Sequence, residues 1–548
     1  MMGVRRMTAR SGVPPTGLRR SLWQTRAPLL GCLLLSSALA QAQDSPAMFE
    51  ATEATEATEA AEAGLQAERA PRVGLRVVPS LTLAQTFTDN VRLSATNKQS
   101  EQVTVVNPAL RVSSDAGRLR GFLDYGFNEV FYAQDSSPRQ TQHAMNSLAT
   151  LELVNQRVFV DFSGKISQQT ISALGTQPSR STAVVENQTE VSSYRLTPYL
   201  RGQFMDLASY EARYSHSLTQ SRSSAVSDVS TDDASVALSG ATAFSQLGWS
   251  AQASTQAVDY EQGRSTRSSA QSLGLSYALM PQLSATANVG RESNNYTSLN
   301  QQSYTTQGVG LNWAASEMTR LSASRQNRSF GVAHSVSLEH RTGRTVWRYT
   351  DSKDVVSTPS QVAQVGLGSI YDLLFSQFAT VQPDPAARAR LVNGYLQANN
   401  LSPDATVTRS FLTSALSVQR RQDLSLALLG QRSTVTLLAS RSEGRRLDTL
   451  TSGTDDFSSS AQLVQQGFSV NLAHRLTPDY SAALALSRVN TSGALSAQDS
   501  SLRSMSLSLA TPLGQRSAAS VGVNRVRFSS AASSYTENVL TANLTVQF

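Results

Sequence analysis

The sequence predicts an all-β fold, one large antiparallel transmembrane β-barrel of about 22 strands with a short helical insertion. Three observations carry this expectation. Apolar and polar side chains alternate from Val73 to the C-terminus, tight turns alternate with longer polar connections, and the composition is polar without being strongly charged.

Alternation with a period of two marks strands whose two faces meet different surroundings. Ser504-Met505-Ser506-Leu507-Ser508-Leu509 is the clearest case. Leu75, Val77, Leu81 and Leu83 fall on one face, with Arg76, Ser80 and Thr82 opposite. The pattern recurs at Leu273, Leu275, Tyr277 and Leu279, and again at Tyr480, Ala482, Leu484 and Leu486. Strands of about ten residues are expected, the length at which a tilted strand crosses a bilayer.

Membrane barrels join strands by tight turns at one end and longer loops at the other. Short connections are expected at Asp115-Ala116-Gly117, Asn155-Gln156, Ser245-Gln246, Met280-Pro281, Thr342-Gly343, Thr477-Pro478-Asp479 and Pro512-Leu513-Gly514. Between them lie longer polar segments at 88–102, 169–187, 220–231, 293–302 and 491–499. Trp249, Trp313, Trp347 and Tyr480 sit beside short turns, where an interfacial girdle needs amphipathic rings. Residues 361–403 break the pattern. Helical spacing at Ser369–Phe375 and Ala386–Ala398, with Pro383 and Pro385 between, predicts two short amphipathic helices, as a surface loop or a plug in the lumen.

Charged residues make up 16% of the chain, against about 25% in ordinary soluble proteins. The formal charge of +7 does not point to nucleic acid, because the arginines are dispersed and no dense basic run carries interleaved aromatics. Arg5, Arg6, Arg10, Arg19, Arg20 and Arg26 all fall in a leader that continues with the apolar run Leu29–Leu35 and small residues at Ala38 and Ala40. Residues 1–40 therefore read as a signal peptide, and removing them leaves a nearly neutral chain. Cys32 is the only cysteine. Its setting, Leu29-Leu30-Gly31-Cys32, resembles a lipoprotein box, yet the apolar run continues past it, so cleavage is expected after Ala40 and the mature chain is left without thiol chemistry. Residues 41–72, with the repeat Glu-Ala-Thr across 50–63, form an acidic low-complexity linker, and 73–548 form the barrel.

The chain ends Leu540-Thr541-Ala542-Asn543-Leu544-Thr545-Val546-Gln547-Phe548. Apolar Leu540, Leu544 and Val546 lead to a terminal Phe548, a pattern that resembles the C-terminal signature of proteins inserted by the bacterial barrel-assembly machinery. Bacterial outer-membrane localisation follows as an expectation, with outer-membrane lipid and the assembly machinery as partners.

The histidines, His143, His216, His334, His340 and His474, show no metal-ligand spacing, and no Gly-x-Ser-x-Gly elbow accompanies the many serines. Neither enzyme chemistry nor a cofactor is expected. The polar face supplies candidate lumen residues instead: Arg120, Asp124 and Asn128 on one hairpin, Asp161 and Lys165 on the next, and Arg344 and Arg348 on a later strand. Mixed charge and many hydroxyls favour a hydrated duct over strong ion selectivity.

Pro79-Ser80-Leu81-Thr82-Leu83-Ala84-Gln85-Thr86-Phe87-Thr88-Asp89-Asn90-Val91-Arg92-Leu93 resembles the opening motif of the outer-membrane β-barrel family associated with PEP-CTERM and exosortase systems. Arg328-Ser329-Phe330-Gly331 leading into His334–Arg341, then Thr345-Val346-Trp347-Arg348-Tyr349, is similar to that family's central hairpin, and Asp384-Pro385 with Arg388 to its helical insertion. The resemblance spans roughly 73–548 and implies a genomic setting in exopolysaccharide or protein sorting, without a mechanism. The expected function is an outer-membrane channel or translocation barrel that passes or anchors a polar polymer such as exopolysaccharide, with a polysaccharide or an export complex as further partner. A structural barrel closed by residues 361–403, and a barrel hydrolase, are the alternatives.

Overall fold

The computed structural model describes residues 74–134, 137–205, 207–356, 388, 411–413, 416–448 and 455–548. The expected leader and acidic linker lie outside these residues, as does the 361–403 insertion except for Arg388, which is helical.

The described chain is a 22-stranded antiparallel sheet, running from β1 (Leu75–Thr88) to β22 (Ser534–Gln547). Each strand pairs with the next in sequence, and β1 closes the sheet by pairing with β22 from Ser80↔Gln547 to Thr88↔Val539. The Thr82 and Thr545 hydroxyls meet across this seam at 3.0 Å, and the Phe548 amide donates to the Pro79 carbonyl at 2.9 Å. From Pro79 to Thr88 closure leaves no free edge of amides and carbonyls, the condition a sheet must meet to sit in hydrocarbon.

The alternation read from the sequence becomes the two faces of this wall. Leu75, Val77, Leu81 and Leu83 on β1 are exposed large apolar side chains, as are Leu273, Leu275, Tyr277 and Leu279 on β10 (Thr266–Met280). Met505, Leu507 and Leu509 on β20 (Ser500–Pro512) are likewise exposed, and Leu540 and Leu544 continue the band on β22. An isolated soluble protein does not present apolar surface so continuously around its girth. The opposite face is rich in Ser, Thr, Asn, Gln and Gly. On β10, β11 (Leu283–Asn294) and β12 (Gln302–Ser316), Ser272, Gly274 and Ser276 lie in register with Gly290, Asn288 and Thr286, and Asn288 and Thr286 with Gly308 and Gly310.

All the short connections expected from sequence fall at one end of the barrel, and all the longer polar segments at the other. Trp249, Trp313, Trp347 and Tyr480 lie at the turn end, and the rings of Trp313, Trp347 and Tyr480 are exposed. Gln156 and Met205 adopt positive φ in two of these turns, at 56° and 47°. The strands are longer than the expected ten residues, ranging from 10 in β13 (Thr319–Arg328) to 17 in β6 (Gln188–Phe204). The surplus extends the wall beyond the apolar band at the loop end, where outward side chains become polar. Outward Tyr214 and His216 both meet Asp232, at 2.6 and 2.8 Å, and outward His334 and Arg420 both meet Asp351.

Candidate functional site

The site is the barrel interior and its loop-end mouth. In a barrel of this strand number the side chains do not reach across, so the interior is an aqueous space unless chain enters it. Arg120, Asp124 and Asn128 on β3 (Leu119–Tyr132) point to the inner face, where Asp124 accepts from Arg111 at 2.6 Å and Asn128 from Asn107 at 2.7 Å. Asp161 and Lys165 on β5 (Val158–Thr170) share that face; the Thr150 hydroxyl donates to Asp161 at 2.7 Å, and Arg213 lies 3.7 Å from it. Arg213 also stacks over Tyr199 at 4.1 Å, and Arg201 over Phe159 at 4.4 Å. Arg348 on β15 (Thr345–Val356) stands directly opposite Glu339. Arg344 departs from the expectation: it lies in the exposed 342–344 turn, one residue before β15 begins, and is not part of the strand wall. The candidate lumen residues thus line one polar surface in scattered pairs. Asp124 and Asp161 are neutralised by Arg111 and Arg213, and hydroxyls and amides fill much of the remaining lining.

The mouth holds the feature that the sequence reading missed. Segment 171–187, within the longer polar connection expected at 169–187, turns inward and packs against inward-facing side chains of distant strands. Ala183 joins Val526, Phe528, Tyr535, Leu502 and Leu93 in one apolar cluster. Val184 packs on Val91, Val103, Val105, Val130 and Tyr132, and its amide donates to the Val91 carbonyl at 2.9 Å. Ala173 and Leu174 pack against Phe411, Phe457 and Leu463. These small apolar contacts exclude water from the junction between loop and wall.

Polar contacts then fix the segment in place. Glu537 on β22 points inward and is completely buried, at 0% exposure, and Arg180 beside it is 14% exposed. The Glu537 carboxylate accepts from Arg180 at 2.5 and 2.9 Å, from the Thr88 hydroxyl at 2.7 Å and from the Ser179 hydroxyl at 3.2 Å. The Tyr535 hydroxyl donates to the Gln177 carbonyl at 2.6 Å, the Tyr132 hydroxyl to Thr182 at 3.1 Å and the Gln142 amide to Ser181 at 2.9 Å. At the other end, Asp456 in the short helix α1 (Asp456–Ser459) accepts from the Ser172 hydroxyl at 2.5 Å and the Ala173 amide at 2.6 Å. Burial pushes the Asp456 carboxyl above the usual carboxylate range, and these two donors oppose that shift. Elsewhere on the rim, Arg264 bonds Asp448 at 3.0 Å and the carbonyls of Asn295 and Tyr296. Buried Glu292 meets Arg328 at 3.1 Å. The mouth is braced on several sides, and segment 171–187 is a fixed constriction in it.

Each histidine is engaged locally: His143 with the Tyr125 hydroxyl, His216 with Asp232, His334 with Asp351, His340 with Thr319 and His474 with Ser433. All five occupy outward-facing strand positions near the two rims. Among the described residues, no group of three or more His, Cys, Asp or Glu side chains is placed to hold a metal ion. Leu540, Leu544 and Val546 share the outward face of the closing strand, and exposed Phe548 follows its last residue.

No known family profile and no curated relative matches the sequence. Solved structures of large barrels do. The FrpB iron transporter of Neisseria meningitidis in its apoprotein form is 10% identical, with 89% of this chain and 83% of that one covered and a TM-score of 0.46. The siderophore receptor PirA of Pseudomonas aeruginosa is 10% identical, with 87% and 81% covered and a TM-score of 0.42. OccK2 of the same organism is also 10% identical, with 86% and 98% covered and a TM-score of 0.33. At such identities and scores, nothing of those proteins' ligands transfers to this chain.

Proposed function

We propose that this chain is a bacterial outer-membrane barrel that forms a hydrated polar channel, narrowed at its outer mouth by segment 171–187. The observation that carries this reading is the division of the wall: a continuous exposed apolar face on one side, and a face of hydroxyls, amides and self-neutralising ion pairs on the other. An apolar outer face demands lipid, and a polar inner face around a wide lumen demands water. The turn end, with both strand termini of the closing seam, faces the periplasm in this reading, and the loop end faces outward.

The cargo we assign is a neutral or mixed-charge polar polymer such as an exopolysaccharide, passed or anchored. Hydroxyl and amide side chains match sugar hydroxyls, the scattered ion pairs impose little charge selection, and the family resemblance points the same way. The role is non-enzymatic. A scaffold barrel with a closed lumen is the competing reading, and the multiply pinned segment 171–187 is the observation in its favour.

Single-channel conductance of the refolded protein in planar bilayers separates the two. Replacing residues 174–184 with a short Gly/Ser linker is expected to raise unitary conductance several-fold over the native chain, because the mouth then loses its constriction. Deleting residues 361–403 in the same background tests whether that insertion also occupies the lumen. A barrel that stays non-conducting with both segments removed contradicts the channel.

A further inference from the structure

Above the apolar band, the outward face of three adjacent strands carries arginines side by side. On β19 (Ser481–Ser492), β20 and β21 (Ser517–Ser530), Arg488 stands directly opposite Arg503, and Arg503 directly opposite Arg527. All three are exposed. Directly opposed residues on one sheet face have Cβ atoms about 5 Å apart, and like charges so placed repel. Arg525, also exposed, lies one outward position nearer the band, level with Met505 and Leu486. Leu484, Leu507 and Val523 form the next row below. Among the described residues, Arg488 bonds the Asn490 side chain at 3.1 Å, and no carboxylate reaches Arg488, Arg503, Arg525 or Arg527 within ion-pair distance.

Next to this row the outward wall is indented. A recess of about 410 Å3 is walled by Tyr349, Leu424, Ala439 and Phe468, which stand in one register row with Arg488, and Arg441 and three amide side chains line it one outward position nearer the loop end. Arg441 also lies 3.7 Å from Glu443. The recess therefore sets an apolar surface directly beside the Arg488 end of the arginine row.

We propose that this face binds a phosphorylated lipid of the surrounding leaflet, its phosphates on Arg488, Arg503 and Arg527 and acyl chain in the recess beside Phe468. The inference rests on the membrane reading above. Unpaired guanidiniums in a row need an anion to relieve their repulsion, and guanidinium forks suit phosphate oxygens. Their position, just beyond the last apolar row of β19 to β21 and within five residues of the loop-end strand limits, is where headgroups meet the wall. A free anion would account for the charges alone; the adjoining apolar recess favours a ligand with a chain.

The test compares the full native chain with the triple variant Arg488→Ser, Arg503→Ser, Arg527→Ser, and with the single variant Arg503→Gln as a milder change. Each is refolded into phosphatidylcholine vesicles and scored for heat-modifiable migration, then transferred to detergent and titrated with fluorescent diphosphoryl lipid A. The native chain should bind at least tenfold more tightly than the triple variant, with Arg503→Gln between them. Dephosphorylated lipid A should bind the native chain as weakly as the triple variant binds the diphosphoryl form, and millimolar inorganic phosphate should not displace the lipid. Equal binding by the native chain and both folded variants, or equal binding of the dephosphorylated lipid, would overturn the site and leave the membrane reading standing. Displacement by inorganic phosphate would reduce it to a simple anion site. Failure of every chain to insert would remove the membrane reading, and this site with it.

Discussion

Leu507→Arg is expected to block membrane assembly, while Ser508→Arg is expected to leave it nearly unchanged. Leu507 lies midway along β20, exposed on the outward face between Leu484 and Val523. Arginine on the lipid face of a barrel at mid-depth costs about 2 to 4 kcal/mol. Ser508 faces inward between Ala483 and Gly522, whose small side chains leave room for a long one to extend into water. Urea-induced unfolding from vesicles, read by tryptophan emission and gel migration, measures both. Tolerance of both changes would put water on both faces of the strand, and failure of both would mean a packed interior at that height. Reversal of the pair would mean a one-residue shift in register, which exchanges the faces of every side chain.

Glu537→Ala is expected to release segment 171–187 from the mouth without unfolding the barrel. Removing one member of a buried ion pair leaves the other charge uncompensated and costs about 3 to 5 kcal/mol. Here the remaining charge would be Arg180, 14% exposed in the native mouth and held by Glu537 through two hydrogen bonds. A segment that can swing into water relieves that cost by opening. Trypsin cleaves after arginine, so the variant in vesicles should be cut at Arg180 while the native chain resists, with heat-modifiable migration the same in both. Equal protection at Arg180 would show that the apolar contacts of Ala173, Ala183 and Val184 hold the segment without the ion pair.

The strand count, the assignment of short and long connections to opposite ends, and the outward face of β20 were all legible in the sequence, because the period-2 pattern reports directly which environment each side chain meets. The same parity put Arg120, Asp124, Asn128, Asp161, Lys165 and Arg348 on the inner wall. Arg344 escaped it because a strand boundary lies between Arg344 and Thr345, and a turn residue has no wall face to share. The inward fold of 171–187 was not legible. Its apolar residues Ala173, Leu174, Ala183 and Val184 follow no period, and its chief partner, Glu537, is 357 residues away from Arg180 in sequence. The one local hint was Val184-Val185 inside an otherwise polar loop, an apolar pair with no neighbour in sequence to cover it. The arginine row was hidden for a related reason. Alternation places Arg488, Arg503 and Arg527 outward, but only the cross-strand register sets them side by side.

Membrane residence is the claim on which the channel, the constriction and the lipid site all depend. Fractionating cells that express the full chain and running the membranes on gels with and without boiling tests it directly. A closed barrel with every inter-strand hydrogen bond satisfied resists detergent until heated. Recovery with the outer membrane is expected, with a faster-migrating band that shifts on boiling. Recovery as a soluble periplasmic protein whose migration does not depend on heat would contradict it.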